Sequence, residues 1–236
     1  MAKTEQETQV QDVMVTPEKG KAKAGKKESE KAGTITKPRI ETAVFLITGT
    51  GSLVINKFSQ KAKEMMMKKQ AEGGQGTKRG GTREKKDFQA LFEGARHRLS
   101  DGGDGIPVMA FKNALVRACS IVNFKMTHAK MGLWVDGDGL DVDEGVPLVR
   151  IISKKQPVRL DMAVRNDSGV ADIRSRPQWR EWAAKIRIKF DADMFTVTDV
   201  ANLLMRAGLQ VGVCEGRPSS KNSCGMGWGT FELAAI

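Results

Sequence analysis

Cysteine and histidine are scarce in this chain, and long apolar runs are missing. The three cysteines, Cys119, Cys214 and Cys224, are odd in number and fall in a helical pattern and around a loop, which argues against a disulfide framework and for incidental thiols. Two histidines, His97 and His128, with no C-x-x-C or H-x-x-x-H pairing, supply too few donors for a zinc site. No stretch approaches the roughly 18 apolar residues of a membrane span, and the polar start lacks the positive-then-apolar layout of a secretory signal. A cytoplasmic protein with no membrane attachment and no cofactor is therefore expected. Phosphate-loop and calcium-loop signals are incomplete as well. Gly49-Thr50-Gly51-Ser52 has no Gly-Lys-Ser/Thr ending and reads as a turn. The acidic stretch from Asp136 has Asp141 where an EF-hand needs glycine, so it reads as a solvated hairpin tip.

Positive charge is abundant. The 236 residues carry 39 Lys and Arg against 28 Asp and Glu, a formal net charge of +11. Such an excess favours a polyanionic partner, nucleic acid before an acidic surface, while 40% apolar residues leave enough for a core. Residues 1–37 have no aromatic side chain and a Lys, Glu, Gly and Ala run, so they read as a disordered basic arm. A second mobile basic stretch is expected over residues 57–104. Ten Lys or Arg face three Glu between Lys57 and Lys86, with Lys78, Arg79 and Arg83 in its glycine-rich part. It is either a solvated insertion or a flap that closes over a phosphate backbone.

Periodicity supplies the rest. Residues 40–47 read as a buried strand. Pro107 opens a helix whose apolar face is Phe111, Ala114, Leu115, Ala118, Cys119 and Val122. Residues 124–176 read as a strand-rich insertion broken by turns. Along residues 182–190, Trp182, Ala184, Ile186, Ile188 and Phe190 alternate with Lys185, Arg187 and Lys189, the pattern of a half-buried strand with a basic open face. Thr196 and Asp199 form a capping box, and Val197, Val200, Ala201 and Leu204 follow at helical spacing until Gly208. A short strand is expected over residues 209–213, then a glycine loop and a closing strand over 230–234. The order predicts an α+β fold, a ferredoxin-like split β-α-β antiparallel sheet over residues 38–236 carrying the two insertions.

Two stretches resemble the RAMP superfamily, the ferredoxin-like RNA-binding proteins that include CRISPR backbone subunits. Ile106-Pro107-Val108-Met109-Ala110-Phe111-Lys112-Asn113-Ala114-Leu115 is similar to the family's I-P-G-S-S-x-K-G-A-L helix entry, and Ser223-Cys224-Gly225-Met226-Gly227-Trp228-Gly229 is similar to its glycine-rich loop. Val108, Met109 and Ala110 replace the small residues of that entry, and Arg117 stands one place later than the usual arginine. The resemblance implies a non-catalytic binder of single-stranded nucleic acid, RNA favoured, able to assemble as an oligomer or ribonucleoprotein. The residues expected to carry contacts are Lys112, Arg117, Lys185, Arg187, Lys189, Arg217 and Lys221, with Gly225, Gly227 and Gly229 letting backbone N–H groups approach a phosphate. Trp228 either stacks on a base or lies in the core beneath the loop. Two alternatives stay open: a viral or phage structural protein whose basic arm meets the genome, and a RAMP-type endoribonuclease. For the latter, His97 and His128 show no sequence partner for acid–base work.

Overall fold

The computed structural model of the chain describes residues 36–58, 60–71, 86–165, 169, 171–220 and 225–234. Residues 1–35 of the expected arm lie outside the described residues, as do Lys78, Arg79, Arg83, Lys221 and Cys224. In chain order, β1 (Ile40–Gly49) and β2 (Leu53–Val54) precede helices α1 (Gln60–Ala71) and α2 (Phe88–Gly94). Then β3 (Gly105–Pro107) leads into α3 (Val108–Ile121) and α4 (Met126–Gly132). Six strands follow: β4 (Leu133–Asp136), β5 (Gly139–Leu140), β6 (Pro147–Arg150), β7 (Val158–Arg165), β8 (Ala171–Trp179) and β9 (Ala183–Asp191). The chain closes with α5 (Val197–Arg206), a π-helical segment (Ala207–Val211) and β10 (Phe231–Leu233).

This is a mixed α+β fold with three antiparallel sheets. The main sheet has the order β10-β1-β9-β4, and every neighbouring pair in it is antiparallel. The predicted alternation of β9 is observed: Trp182, Ala184, Ile186, Ile188 and Phe190 are buried in one hydrophobic cluster with Phe111, Leu115, Leu204 and Phe231. Residues opposed across an antiparallel pair share a face, so Thr42, Val44 and Leu46 lie beside Lys189, Arg187 and Lys185 on the other side of the sheet. That face carries half-exposed Val44 and Leu46 as well as its basic row.

Both covering helices obey their sequence signals. Pro107 stands at the N-cap of α3, and Val108, Phe111, Ala114, Leu115, Val116, Ala118 and Cys119 are buried along it. Val122 is exposed, because the helix ends one residue earlier and Asn123 enters the left-handed region at φ 55°. The capping box of α5 is formed: Asp199 N–H donates to Thr196 Oγ1 at 3.1 Å, and Thr196 N–H donates to Asp199 Oδ2 at 2.9 Å. Leu204 is fully buried on this helix. Leu204→Ala is expected to cost about 2 to 4 kcal/mol, read as a lowered midpoint in urea titration, while Lys185→Ala, on the opposite face, should leave the midpoint in place.

Four expectations need correction. Residues 40–47 are not a buried strand: Ile47 is buried, but Ile40, Val44 and Leu46 are about half exposed, because one face of β1 is the open side of the sheet. Residues 209–213 form no strand; the chain continues from α5 into the π-helical segment and turns at Gly212, φ 70°. Gly208 is therefore not a stop. It is a contact, since a Cβ there would lie 2.1 Å from the Phe231 carbonyl oxygen, and the close approach holds the segment against β10. Next, β4 sits inside the stretch 124–176 yet pairs with β9 in the main sheet, so that stretch is not an insertion throughout. Finally, Asp141 is no solvated hairpin tip. It is buried at 2% exposure, because three separate segments converge on it, as described below.

Candidate nucleic-acid interface

A cleft of about 1240 Å³ opens among the described residues. One wall is the start of α3, with Pro107, Ala110, Asn113, Ala114 and Arg117; a second is the hairpin of β7 and β8; the third is formed by residues 211–217 with Ser219, Ser220, Met226 and Trp228. On the hairpin, Met162 opposes Arg174 across the β7–β8 pair, so both project from the same face and reach the cleft together. Four arginines, Arg117, Arg174, Arg176 and Arg217, line it against one glutamate, Glu215, among the described residues. The cleft is thus far more positive than the chain as a whole.

The glycine loop is built by close packing on the turn after β1. Gly229 N–H donates to the Ser52 carbonyl at 2.8 Å, Thr50 N–H to the Thr230 carbonyl at 2.9 Å, and Glu215 N–H to the Val54 carbonyl at 3.1 Å. A Cβ on Gly51 would lie 2.1 Å from the Gly227 carbonyl oxygen, so the two glycine stretches seen in the sequence are one packed unit. The N–H of Gly229 is consumed by this packing. Gly225, Gly227 and Gly229 all have positive φ, and Gly227 meets no atom within 4 Å at its Cβ position. Trp228 is half-buried: it lines the cleft, and a Cβ on Gly216 would come within 2.5 Å of its ring. It is neither a deep core residue nor a free one.

Electrostatics in the cleft are those of buried charges. Arg176, only 3% exposed, pairs through Nη1 with Glu215 Oε1 at 2.5 Å. Burial pushes the Arg176 guanidinium down and the Glu215 carboxyl up, each opposed by the other's charge. Arg217 donates from Nη1 to the Cys214 carbonyl at 2.7 Å, fixing the turn in which Cys214 itself holds φ 60°. Burial pushes the Cys214 thiol up to about 12, so at neutral pH it is protonated and no nucleophile. Among the described residues no three His, Cys, Asp or Glu side chains gather as a metal site, and no helix is long and apolar enough to cross a membrane.

The predicted site residues therefore divide. Arg117, Arg217 and Trp228 meet in the cleft. Lys185, Arg187 and Lys189 occupy the open face of the main sheet, where Lys189 Nζ lies 3.0 Å from Asp136. Lys112 lies on α3 outside the cleft lining. Sequence reasoning passed over Arg174, Arg176 and Glu215, and weighed His97 only as a histidine without a sequence partner. The alternation of Arg174 and Arg176 was available as a signal, but its face could not be named without knowing which side of the hairpin turns inward.

His97 has a partner after all. Its Nδ1 is 2.8 Å from Asp141 Oδ2, and Asp141 Oδ1 accepts from Lys57 Nζ at 2.7 Å and from the backbone N–H groups of Asp143 and Glu144 at 2.9 and 3.0 Å. Burial raises the Asp141 carboxyl, but these donors outweigh it and bring it down to about 2. With Asp141 ionised, Nδ1 carries the proton of this hydrogen bond, and the carboxylate holds the ring in place. Compared with models of known protein families and with curated proteins, the chain matches neither.

Proposed function

We propose that the chain is a ferredoxin-like, RAMP-type binder of single-stranded nucleic acid, RNA favoured, which holds the strand in the arginine-lined cleft without catalysing its cleavage. With β1, β4, β9 and β10 numbered one to four in chain order, the order across the sheet is 4-1-3-2, with α3 and α5 as crossovers, and this order supports the split β-α-β reading. The observation that carries the function is the cleft charge: four arginines to one glutamate around about 1240 Å³, with Trp228 in the wall. Arginines neutralise phosphates, and an aromatic face beside them accepts a base. The site thus moves from the basic sheet face expected from the sequence to the opposite side of the sheet.

Fluorescence anisotropy with single-stranded RNA, single-stranded DNA and duplex, each across a salt series, tests this. Single-stranded RNA should bind best, and affinity should fall steeply with salt. Changing Arg117 and Arg217 together to Gln should lower the slope of log affinity against log salt by about 1.4, at about 0.7 for each phosphate contact, with the fold retained by circular dichroism although the Arg217 bond to the Cys214 carbonyl is lost. If the triple change of Lys185, Arg187 and Lys189 to Gln lowers the slope and the cleft pair does not, the strand lies on the open sheet face instead. Salt-insensitive binding would overturn the reading.

One observation favours a second reading, an endoribonuclease: His97 lines the cleft and is oriented by Asp141, the arrangement of a general base. Its mark would be cleavage of the RNA probe in the same titration, lost in His97→Ala.

A further inference from the structure

Helix α5 and the segment after it carry apolar residues on two sides. Val200, Leu203, Leu204 and Ala207 are buried against the core. A second row, Val197, Ala201, Met205 and Leu209, recurs every four residues beside them; Val197 and Met205 are about half exposed, and Leu209 is 73% exposed. A surface helix ordinarily turns charged and polar residues outward, so a second apolar row marks a contact surface. Leu209 keeps its place in the row because it lies in the π-helical segment. That segment turns the chain less per residue than an α-helix does, which holds Leu209 in line with Met205.

Along the other flank of α5 lie two exposed charges of opposite sign, Asp199 in its first turn and Arg206 in its last. Seven residues make about two turns, so both sit on one side of the helix. They line a groove of about 230 Å³ together with Val122, Phe124, Phe195 and Leu203. The capping box occupies Asp199 Oδ2, and Oδ1 takes no part in it.

Both rows complement themselves. When two copies of α5 lie antiparallel about a two-fold axis level with Leu203, Val197 meets Leu209 of the second copy, Ala201 meets its Met205, and Asp199 comes beside its Arg206, each contact being made twice. A parallel arrangement would set Asp199 against Asp199 and Arg206 against Arg206. We propose that α5 is the interface of a two-fold homodimer, packed antiparallel against α5 of a second copy, with the apolar rows in contact and Asp199 paired with Arg206 at both ends. The aliphatic stem of each Arg206 covers the apolar groove on its way to the carboxylate. This inference does not rest on strand binding, and its test uses no nucleic acid.

Sedimentation equilibrium of the full chain at low salt should give a dimer in equilibrium with monomer. Leu209→Glu, at an exposed position, should keep the fold by circular dichroism and leave monomer at concentrations where the parent is dimeric. Arg206→Glu sets like charges together at both ends and should weaken the dimer about tenfold or more, whereas Arg206→Lys should stay within about threefold of the parent. Asp199→Lys should weaken it similarly, and an equimolar mixture of the Arg206→Glu and Asp199→Lys variants should dimerise where neither does alone, because the reversed charges then match. Mixing would not repair a merely structural effect. Should Asp199→Lys lose the fold with its capping box, the contrast between Arg206→Glu and Arg206→Lys decides. Monomer at every concentration, or a dimer that survives Leu209→Glu or Arg206→Glu unweakened, would overturn the proposal.

Discussion

Replacing Asp141 by Ala will cost the fold about 3 to 5 kcal/mol, the range for removing one partner of a buried ion pair. Its carboxylate is the junction of three segments: Lys57 after β2, His97 after α2, and the turn at Asp143 and Glu144. Lys57 is itself only 6% exposed. Once Asp141 is gone, its ammonium keeps Asp143 as its partner among the described residues, and two backbone N–H groups lose theirs. The double change Lys57→Met with Asp141→Leu should recover most of the loss, because it removes both charges from the interior. Urea titration of the two single variants and the double variant measures this; strict additivity would show that the pair does not couple. The same carboxylate sets an acid limit. Its folded value near 2 lies below the ordinary 3.8, so its contribution is complete above about pH 4 and is lost as pH falls from there toward 2, on the order of 2 kcal/mol. Parent protein should therefore lose stability in that window more steeply than Asp141→Asn.

Gly229→Ala is expected to be nearly as costly, about 3 to 5 kcal/mol. Gly229 has φ 65°, where an alanine pays about 1 to 2 kcal/mol, and its Cβ would lie 1.9 Å from the Val213 carbonyl oxygen. That neighbour is backbone and cannot rotate away, so the loop must separate from the segment at Val213. Two hydrogen bonds fix the separation distance: Gly229 N–H to Ser52 at 2.8 Å and Val213 N–H to Gly229 at 2.9 Å. Gly227→Ala is the control, since its position is open and only the backbone strain applies, about 1 kcal/mol. Thermal melts of the two variants should differ widely. Equal melting temperatures would mean that the loop does not pack as described. Both variants also separate fold from binding, because a loop that owes its glycines to packing loses nucleic-acid affinity only as far as it loses structure.

Local signals in the sequence were sufficient for the elements whose partners are their own neighbours in the chain. The alternation of residues 182–190, the capping box of Thr196 and Asp199, and Pro107 ahead of an apolar helical face each depend on period and short-range hydrogen bonding, and each stands in the structure as read. Residues 209–213 were misread because Leu209 and Val211 alternate like a strand, whereas contact of Gly208 with Phe231 keeps the chain helical there. Tertiary structure decided the site for a similar reason. Alternation says that Lys185, Arg187 and Lys189 share a face and that Arg174 and Arg176 share another, but not which of these faces looks into a cavity. Folding places the first set on the open side of the main sheet and the second, together with Glu215 and Ser219, in the cleft. The burial of Asp141 was equally out of reach of the sequence. An acidic turn reads as solvated until a lysine 84 residues away is brought against it, and long-range pairing of that kind is a property of the fold alone.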